Sequence, residues 1–277
     1  MTLGPAFLVA LVAASPVRYL GPKPKAEVRR IVTLAPSLTD IVVALGAGDR
    51  LAGVSRFDEL PQVKGLPRVG GFTDPSVEAV LALKPDLVLV QPGPGNHRPV
   101  EKMAELGIPV LALSMQGVED VLAALREAGR AVGKAEQGER LARDIEATRV
   151  EVRGRAARVP KKRVLFVYGF QPFVVAGPGS FADELMKDAG AVNAAANAGG
   201  AYAVYSTESA IRARPDVVID AVMGHEGGGE KLRELPGLRE ARWVSVPSED
   251  LLHPGPNIGR GLRTLFELIH GGADAGR

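Results

Sequence analysis

The chain has 277 residues, 46% of them apolar, enough to fill two cores and closer to two domains than to one. A formal charge of +2 provides no field suited to nucleic acid or to an anionic membrane surface. There is no cysteine, which excludes disulfides, thiolate metal sites, a cysteine nucleophile and the residue on which a bacterial lipid anchor is built.

Residues 1–27 read as a signal-like segment and a linker. The apolar run Ala6 to Ala14 is too short to span a bilayer, and it reads as a secretory signal cleaved after Ala14, although no Lys or Arg precedes it. Pro16 to Glu27, with Pro22 and Pro24, reads as an extended linker.

A first α/β lobe is predicted over 28–133. Arg30 to Leu34 is its opening strand, and Ser37 is placed to cap a helix that ends at Gly46. A short strand, Leu51 to Val54, leads into the irregular loop Ser55 to Thr73. Next come a helix and strand over Ser76 to Val90, a Gly/Pro loop at 92–96, and His97 with the helix EKMAELG. A strand over Ile108 to Leu113 and a helix over Val118 to Val132 complete the lobe.

The longest helix is predicted from Ala135 to about Arg158, within a linking segment 134–159. Leu141, Ile145, Thr148 and Val152 form its one narrow apolar stripe, as expected of a strut between two bodies. A second lobe then occupies 160–277. It has a strand at Arg163 to Val167, a loop from Tyr168 to Gly179, a helix capped by Ser180, and a loop from Ala191 to Tyr205. A helix and strand over Ser206 to Asp220, a Gly-rich turn, a strand at Trp243 to Val246 and a final helix over Ile258 to Ile269 follow.

The two lobes repeat one another. SVEAVLALKPDLVLV at Ser76 to Val90 returns as STESAIRARPDVVID at Ser206 to Asp220, with Ser, Glu, Pro and Asp in the same register. In each copy the Pro stops a short helix and an apolar run follows, as suits a parallel strand covered on both faces. The predicted fold is therefore α/β: two similar lobes with parallel-type sheets flanked by helices, joined by one long helix. Each lobe carries one Glu, Glu78 or Glu208, on an equivalent first turn.

Aromatics make up only 5% of the chain, and several fall in loops at the expected carboxyl ends of strands. They are Phe57 and Phe72 in the first lobe, and Tyr168, Phe170, Phe173, Tyr202 and Tyr205 in the second. Ligands of open α/β sheets sit at that end, and rings on loops suit a large flat ligand. The plainer reading is that rings such as Phe57, Phe170 and Phe173 fold back into their own cores. Glu78 and Glu208 have a plain reading too, as acids that favour a helix start. Their matched placement adds another use, as two carboxylates meeting two cations on a symmetric partner.

His97 is placed in a predicted cleft loop. The four histidines, His97, His225, His253 and His270, have no close metal-ligand spacing, and no metal site is assigned. No P-loop, dinucleotide fingerprint or nucleophile elbow is present in the sequence.

RIVTLAPSLTDIVVALGAGDRLAGVS, VEAVLALKPDLVLV, EKMAELGIPVL, the long helix, STESAIRARPDVVI and the closing LLHPGPNIGRGL together resemble the helical-backbone (class III) periplasmic substrate-binding proteins of ABC transporters, and among them the cobalamin-binding proteins. The resemblance covers about Arg30 to His270. It implies a monomeric, non-enzymatic periplasmic receptor that clamps a large ligand between two lobes and docks one Glu per lobe, Glu78 and Glu208, on arginines of a permease dimer. It implies a corrinoid ligand met by Phe57 and Phe72 on one side and Tyr168 and Tyr202 on the other, with Phe173 and His97 alongside; no separate cofactor is implied. Relatives in the class carry haem or ferric siderophores, and for those Tyr168, Tyr202 and His97 are the expected iron contacts. The alternative of another class is an enzyme, such as a metal-dependent hydrolase, working in the interlobe cleft.

Overall fold

Val17–Leu20 (β1) is a strand and not a linker. It pairs antiparallel with Val110–Leu113 (β5), and Tyr19 fastens it by donating its hydroxyl to Glu127 Oε1 at 2.9 Å. This corrects the extended linker expected over Pro16 to Glu27: the apolar residues of VRYL complete the edge of the first sheet. The computed structural model describes residues 15–24, 27–93, 95–222, 229–247, 249–251 and 253–271. The expected signal segment and His225 lie outside the described residues.

The first lobe continues with Ile31–Thr33 (β2), Pro36–Ala44 (α1), Leu51–Gly53 (β3), Val77–Ala82 (α2), Leu87–Val90 (β4), His97–Glu105 (α3), β5 and Val118–Ala131 (α4). Its sheet runs β1-β5-β4-β2-β3, and every pairing but that of β1 is parallel. All four residues of β4 are buried, as its unbroken apolar run predicts. Leu87 and Leu89 face a core shared with α1 and α4, while Val88 and Val90 face α2 and α3. One expected cap is corrected here. The helix α1 starts at Pro36 with Ala35 as its N-cap, so Ser37 is its second residue and makes no cap bond.

Ala135–Ala156 (α5) is the predicted connecting helix, 22 residues and about 33 Å long. Ile145, Thr148 and Val152 of its predicted stripe are buried. Its crossing with α4 is close because two glycines meet there. A Cβ built on Gly138 would stand 2.5 Å from the carbonyl oxygen of Leu125 and 3.2 Å from the Cα of Gly129. Gly→Ala within a helix normally gains about 0.5–1 kcal/mol in propensity. Overpacking against main chain costs about 1–3 kcal/mol, so the crossing decides the sign. Gly138→Ala is expected to lower stability by about 1–2 kcal/mol net, measured by urea unfolding.

The second lobe comprises Arg163–Phe170 (β6), Phe173–Ala176 (β7), Phe181–Asp188 (α6), Val192–Asn193 (β8), Tyr202–Val204 (β9), Thr207–Ala213 (α7), Val217–Asp220 (β10), Gly229–Arg233 (α8), Arg242–Ser245 (β11) and Ile258–His270 (α9). Its sheet runs β11-β10-β6-β7-β9, with β8 also paired to β6. The loop expected from Tyr168 to Gly179 is corrected to a hairpin, β6 into β7, and the loop from Ala191 to Tyr205 carries β8 and β9. The sheet is thus parallel through β6, β10 and β11 and antiparallel on both sides of β7.

The sequence repeat is also a repeat of local geometry. In each copy the residue before Pro is left-handed, Lys84 at φ 46° and Arg214 at φ 41°. Each following Asp accepts main-chain N–H groups from the lobe's first strand region. Asp86 Oδ2 takes Arg29 N and Arg30 N, both at 3.0 Å, and Asp216 Oδ2 takes Arg163 N at 2.7 Å. The arginine side chain then caps the helix end: Arg30 Nε donates to Leu83 O at 2.8 Å, and Arg163 Nε donates to Ala213 O at 3.0 Å. One unit is built twice, down to the partners of its carboxylate.

Candidate functional site

Between the lobes lies a cavity of about 590 Å³. Three segments wall it: Pro36, Ser37 and Asp40 in the first turns of α1, Phe57 to Pro61 after β3, and Asp250 with His253 to Asn257 before α9. The first two follow the carboxyl ends of parallel strands, where the twist of an open sheet leaves a crevice. Proline and glycine hold the third irregular before α9 begins at Ile258.

Phe57 stands on this wall, 57% exposed. Arg56 props it from behind: its guanidinium carbon lies 5.0 Å from the ring centroid, and its Nη2 donates to Asp74 Oδ1 at 2.7 Å. The ring is thus held in place on the cavity wall. Beside it Ser55 Oγ donates to Asp58 Oδ2 at 2.6 Å, while Asp58 Oδ1 is buried without a hydrogen-bond partner among the described residues. Buried carboxylate oxygens are rarely left so, because an unmade bond costs the desolvation of the group.

The other predicted residues are dispersed. Phe72 is half-buried; its ring covers Gly93, where a Cβ would come within 2.4 Å of it. The buried Asn96 holds the loop around it, donating to Phe72 O and Gln91 O at 2.9 Å and accepting from Gly93 N at 3.0 Å. His97 opens α3 and is exposed; it lines a separate cavity of about 350 Å³ with Arg18, Leu20, Val100 and Glu101. The structure therefore does not bring His97 to the interlobe cavity.

In the second lobe, Tyr168 and Tyr202 come together with ring centroids 5.3 Å apart, and Phe166 packs against Tyr168 at 5.0 Å with its ring tilted by 52°. The sheet supplies the reason. The register of β6 on β7 slips between Val167 and Gly169, so Tyr168 is the extra residue of a bulge, a device that re-aims a side chain. Burial, and then the neighbouring Tyr202, push the Tyr168 phenol well above its ordinary range, so it stays neutral at physiological pH. Tyr202 is 60% exposed on the edge strand β9. Neither tyrosine lines the interlobe cavity. Phe173 packs with Tyr205 at 6.4 Å in the core on the other face of the sheet, where Phe170 also lies. For both phenylalanines the plain reading as core rings describes their place.

Glu78 and Glu208 occupy matching exposed positions, each two residues past a serine N-cap. Ser76 Oγ accepts Ala79 N at 3.2 Å, and Ser206 Oγ accepts Ser209 N at 3.1 Å. Their partners differ: Glu208 is paired with Arg212 at 2.8 Å, while Glu78 accepts from Ser76 Oγ at 3.3 Å.

The sequence reading missed Ser37, Asp40 and the 250–257 loop as cavity walls. The signal was in the chain, since HPGPN breaks regular structure just before a helix, but nothing local tells which other loops it faces. Four acids, Asp40, Asp58, Glu59 and Asp250, line the cavity, yet among the described residues no three His, Asp or Glu side chains are grouped so as to hold a metal ion. Among the described residues no helix is long and apolar enough to cross a membrane.

Residues 31–241 match the family model described as periplasmic binding protein. Over 246 residues the chain is 26% identical to the vitamin B12-binding protein of Vibrio parahaemolyticus, 87% of each chain being covered. Among solved structures it is similar to the periplasmic heme-binding protein RhuT from Roseiflexus sp. RS-1 in apo form, with TM-score 0.74 and 31% identity over 86% of this chain and 96% of that one. It shares its fold with the periplasmic vitamin B12 binding protein BtuF of Vibrio cholerae, with TM-score 0.76 and 23% identity over 89% and 97% of the two chains.

Proposed function

The chain belongs to the periplasmic binding protein family, and on that premise we propose that it is the receptor of an ABC importer, capturing a cobalamin-like corrinoid between its lobes and presenting it to the permease in the periplasm. The single observation that carries this reading is the interlobe cavity with Phe57 propped on its wall. A flat, rigid ring system loses little entropy against such a surface, and a stiff connecting helix keeps the cost of closing the lobes small. The name of the Vibrio parahaemolyticus relative supports a corrinoid over other flat ligands. The family and that relative are substrate-binding proteins, which supports a carrier rather than an enzyme.

A second reading, a haem or ferric-siderophore receptor of the same architecture, is favoured by the Roseiflexus neighbour and by the paired phenols of Tyr168 and Tyr202. Incubating the protein with cyanocobalamin, haemin or a ferric siderophore and recording which visible band co-elutes on gel filtration separates the readings. Co-elution of the corrinoid band is expected. Phe57→Ala is then expected to weaken corrinoid binding about tenfold by removing one stacking face, and an unchanged isotherm would remove Phe57 from the site.

A further inference from the structure

On the basis of the receptor reading above, we propose that Gly71 and Arg68 are positioning residues of the interlobe cavity. Neither lines it. Both act from behind, holding Phe57 and its loop in their ligand-facing form before a ligand arrives.

The Phe57 ring, the Arg56 guanidinium and the Asp74 carboxylate converge on the buried Gly71. A Cβ built there would stand 2.9 Å from Phe57 Cε2, 3.0 Å from Arg56 Nη2 and 2.7 Å from Asp74 Oδ1. That is closer than van der Waals contact allows, so something must give. The three nearest atoms are all ends of flexible side chains, not main chain, and Gly71 is not left-handed. Alanine therefore fits the backbone and is accommodated by moving the ring and the ion pair behind it. The missing side chain of Gly71 is the seat of Phe57.

Arg68 acts on the main chain of the same loop. Its Nη1 donates to Ser55 O at 3.1 Å and to Asp58 O at 2.9 Å, and its Nη2 reaches Val63 O at 3.4 Å. Those carbonyls bracket the five wall residues Phe57 to Pro61. Such a stretch has no sheet ladder of its own, so its shape depends on bonds of this kind. With them removed, the loop regains conformational freedom, and only the fraction in the present shape is ready to bind. Apparent affinity falls by that fraction, and the loss appears in association because the bound loop is unchanged.

Binding of cyanocobalamin, or of haemin if that is the band retained, is followed by titration and stopped flow. Arg68→Gln keeps the aliphatic stem but cannot reach three carbonyls. It is expected to slow association about fivefold while dissociation stays within about twofold. In the free variant, the amides of 56–66 should exchange with solvent faster than in the wild type, and those of β2 and β4 should not. Gly71→Ala is expected to weaken affinity about fivefold with the thermal midpoint within about 2 °C of the wild type. In a Phe57→Ala background the same change should cost less than about 1.5-fold, because the ring it displaces is gone.

Unchanged affinity in either single variant overturns the role of that residue. A loss at Gly71→Ala that persists at full size without Phe57 overturns the seat, since a general structural effect would do the same. Faster exchange throughout the first sheet, or unaltered exchange in the loop, overturns the local action of Arg68. Wild-type protein that binds neither cyanocobalamin nor haemin overturns the receptor reading, and the exchange pattern then still decides whether Arg68 holds the loop.

Discussion

Arg149→Met is expected to destabilise the protein by about 3–5 kcal/mol. Arg149 sits on the connecting helix α5 with its side chain only 8% exposed, and its three nitrogens reach three carboxylates on two other helices. Nη1 bonds Glu119 of α4 at 2.6 Å, Nη2 bonds Glu184 of α6 at 2.8 Å, and Nε bonds Asp188 of α6 at 2.6 Å. Glu184 reaches on to the start of α4, where Oε2 accepts Val118 N at 2.9 Å. One guanidinium therefore ties a helix of each lobe to the strut between them.

Burial alone would lower the Arg149 pKa, but the hydrogen bond and charge of Asp188, with Glu119 and Glu184, raise it above the ordinary arginine value. Removing the cation leaves Asp188, 5% exposed, with Arg153 as its remaining partner at 2.6 Å, and takes from the half-buried Glu184 its ion pair, while the exposed Glu119 returns to solvent. That is the costly case, in which one partner of a buried pair is deleted. Exposed pairs such as Arg263–Glu151 are screened by solvent and contribute little by contrast. In a thermal melt the midpoint of Arg149→Met should fall by about 10 °C. Arg149→Lys should recover less than half of this, because one ammonium cannot span three carboxylates. A shift of under about 2 °C would mean the network contributes nothing to stability.

What could be read from the sequence follows from how local each feature is. The repeated Ser–Glu–Pro–Asp unit was legible because its causes are local: a serine cap, a proline stop, and an aspartate folding back on the main chain of the neighbouring strand. The connecting helix was legible through the stripe that buries Ile145 and Val152. The hairpin from β6 to β7 was not, since Gly169 and Pro172 read as a loop while the partner that makes them a strand lies across a turn. The edge strand β1 was hidden for the same reason, as its proline-rich setting speaks for a linker and only the open edge of β5 makes it a strand.

The candidate site divides in the same way. Phe57 was found by its type and loop. The acids facing it, and the residues at 250 and 253–257, belong to the cavity only because segments far apart in the chain converge, which spacing cannot express. The phenols of Tyr168 and Tyr202 are expected from the resemblance as ligand contacts; they meet one another, but neither lines the interlobe cavity. The bulge that turns Tyr168 has no signature in the chain beyond the glycine after it.

Reversing both exposed acids, Glu78→Arg with Glu208→Arg, is expected to abolish delivery to the permease while leaving ligand affinity within about twofold. The two carboxylates crown equivalent helices, each fixed by its own serine cap, so a two-fold partner meets the same group twice. Rim charges of this kind set orientation and association rate, and replacing both with cations turns two attractions into two repulsions. Glu208 must first leave Arg212, but that exposed pair costs under about 1 kcal/mol to break, so it does not protect the site. Glu78 has no such competitor among the described residues; it accepts a weak hydrogen bond of 3.3 Å from Ser76 Oγ. Single reversal of Glu78 should therefore slow transport more than single reversal of Glu208, whose neighbouring arginine already screens it. Uptake of labelled ligand by proteoliposomes holding the permease measures delivery, and titration of the free protein measures affinity. Normal uptake by the double variant would remove both acids from the docking surface, and loss of ligand affinity would place them in the cleft instead.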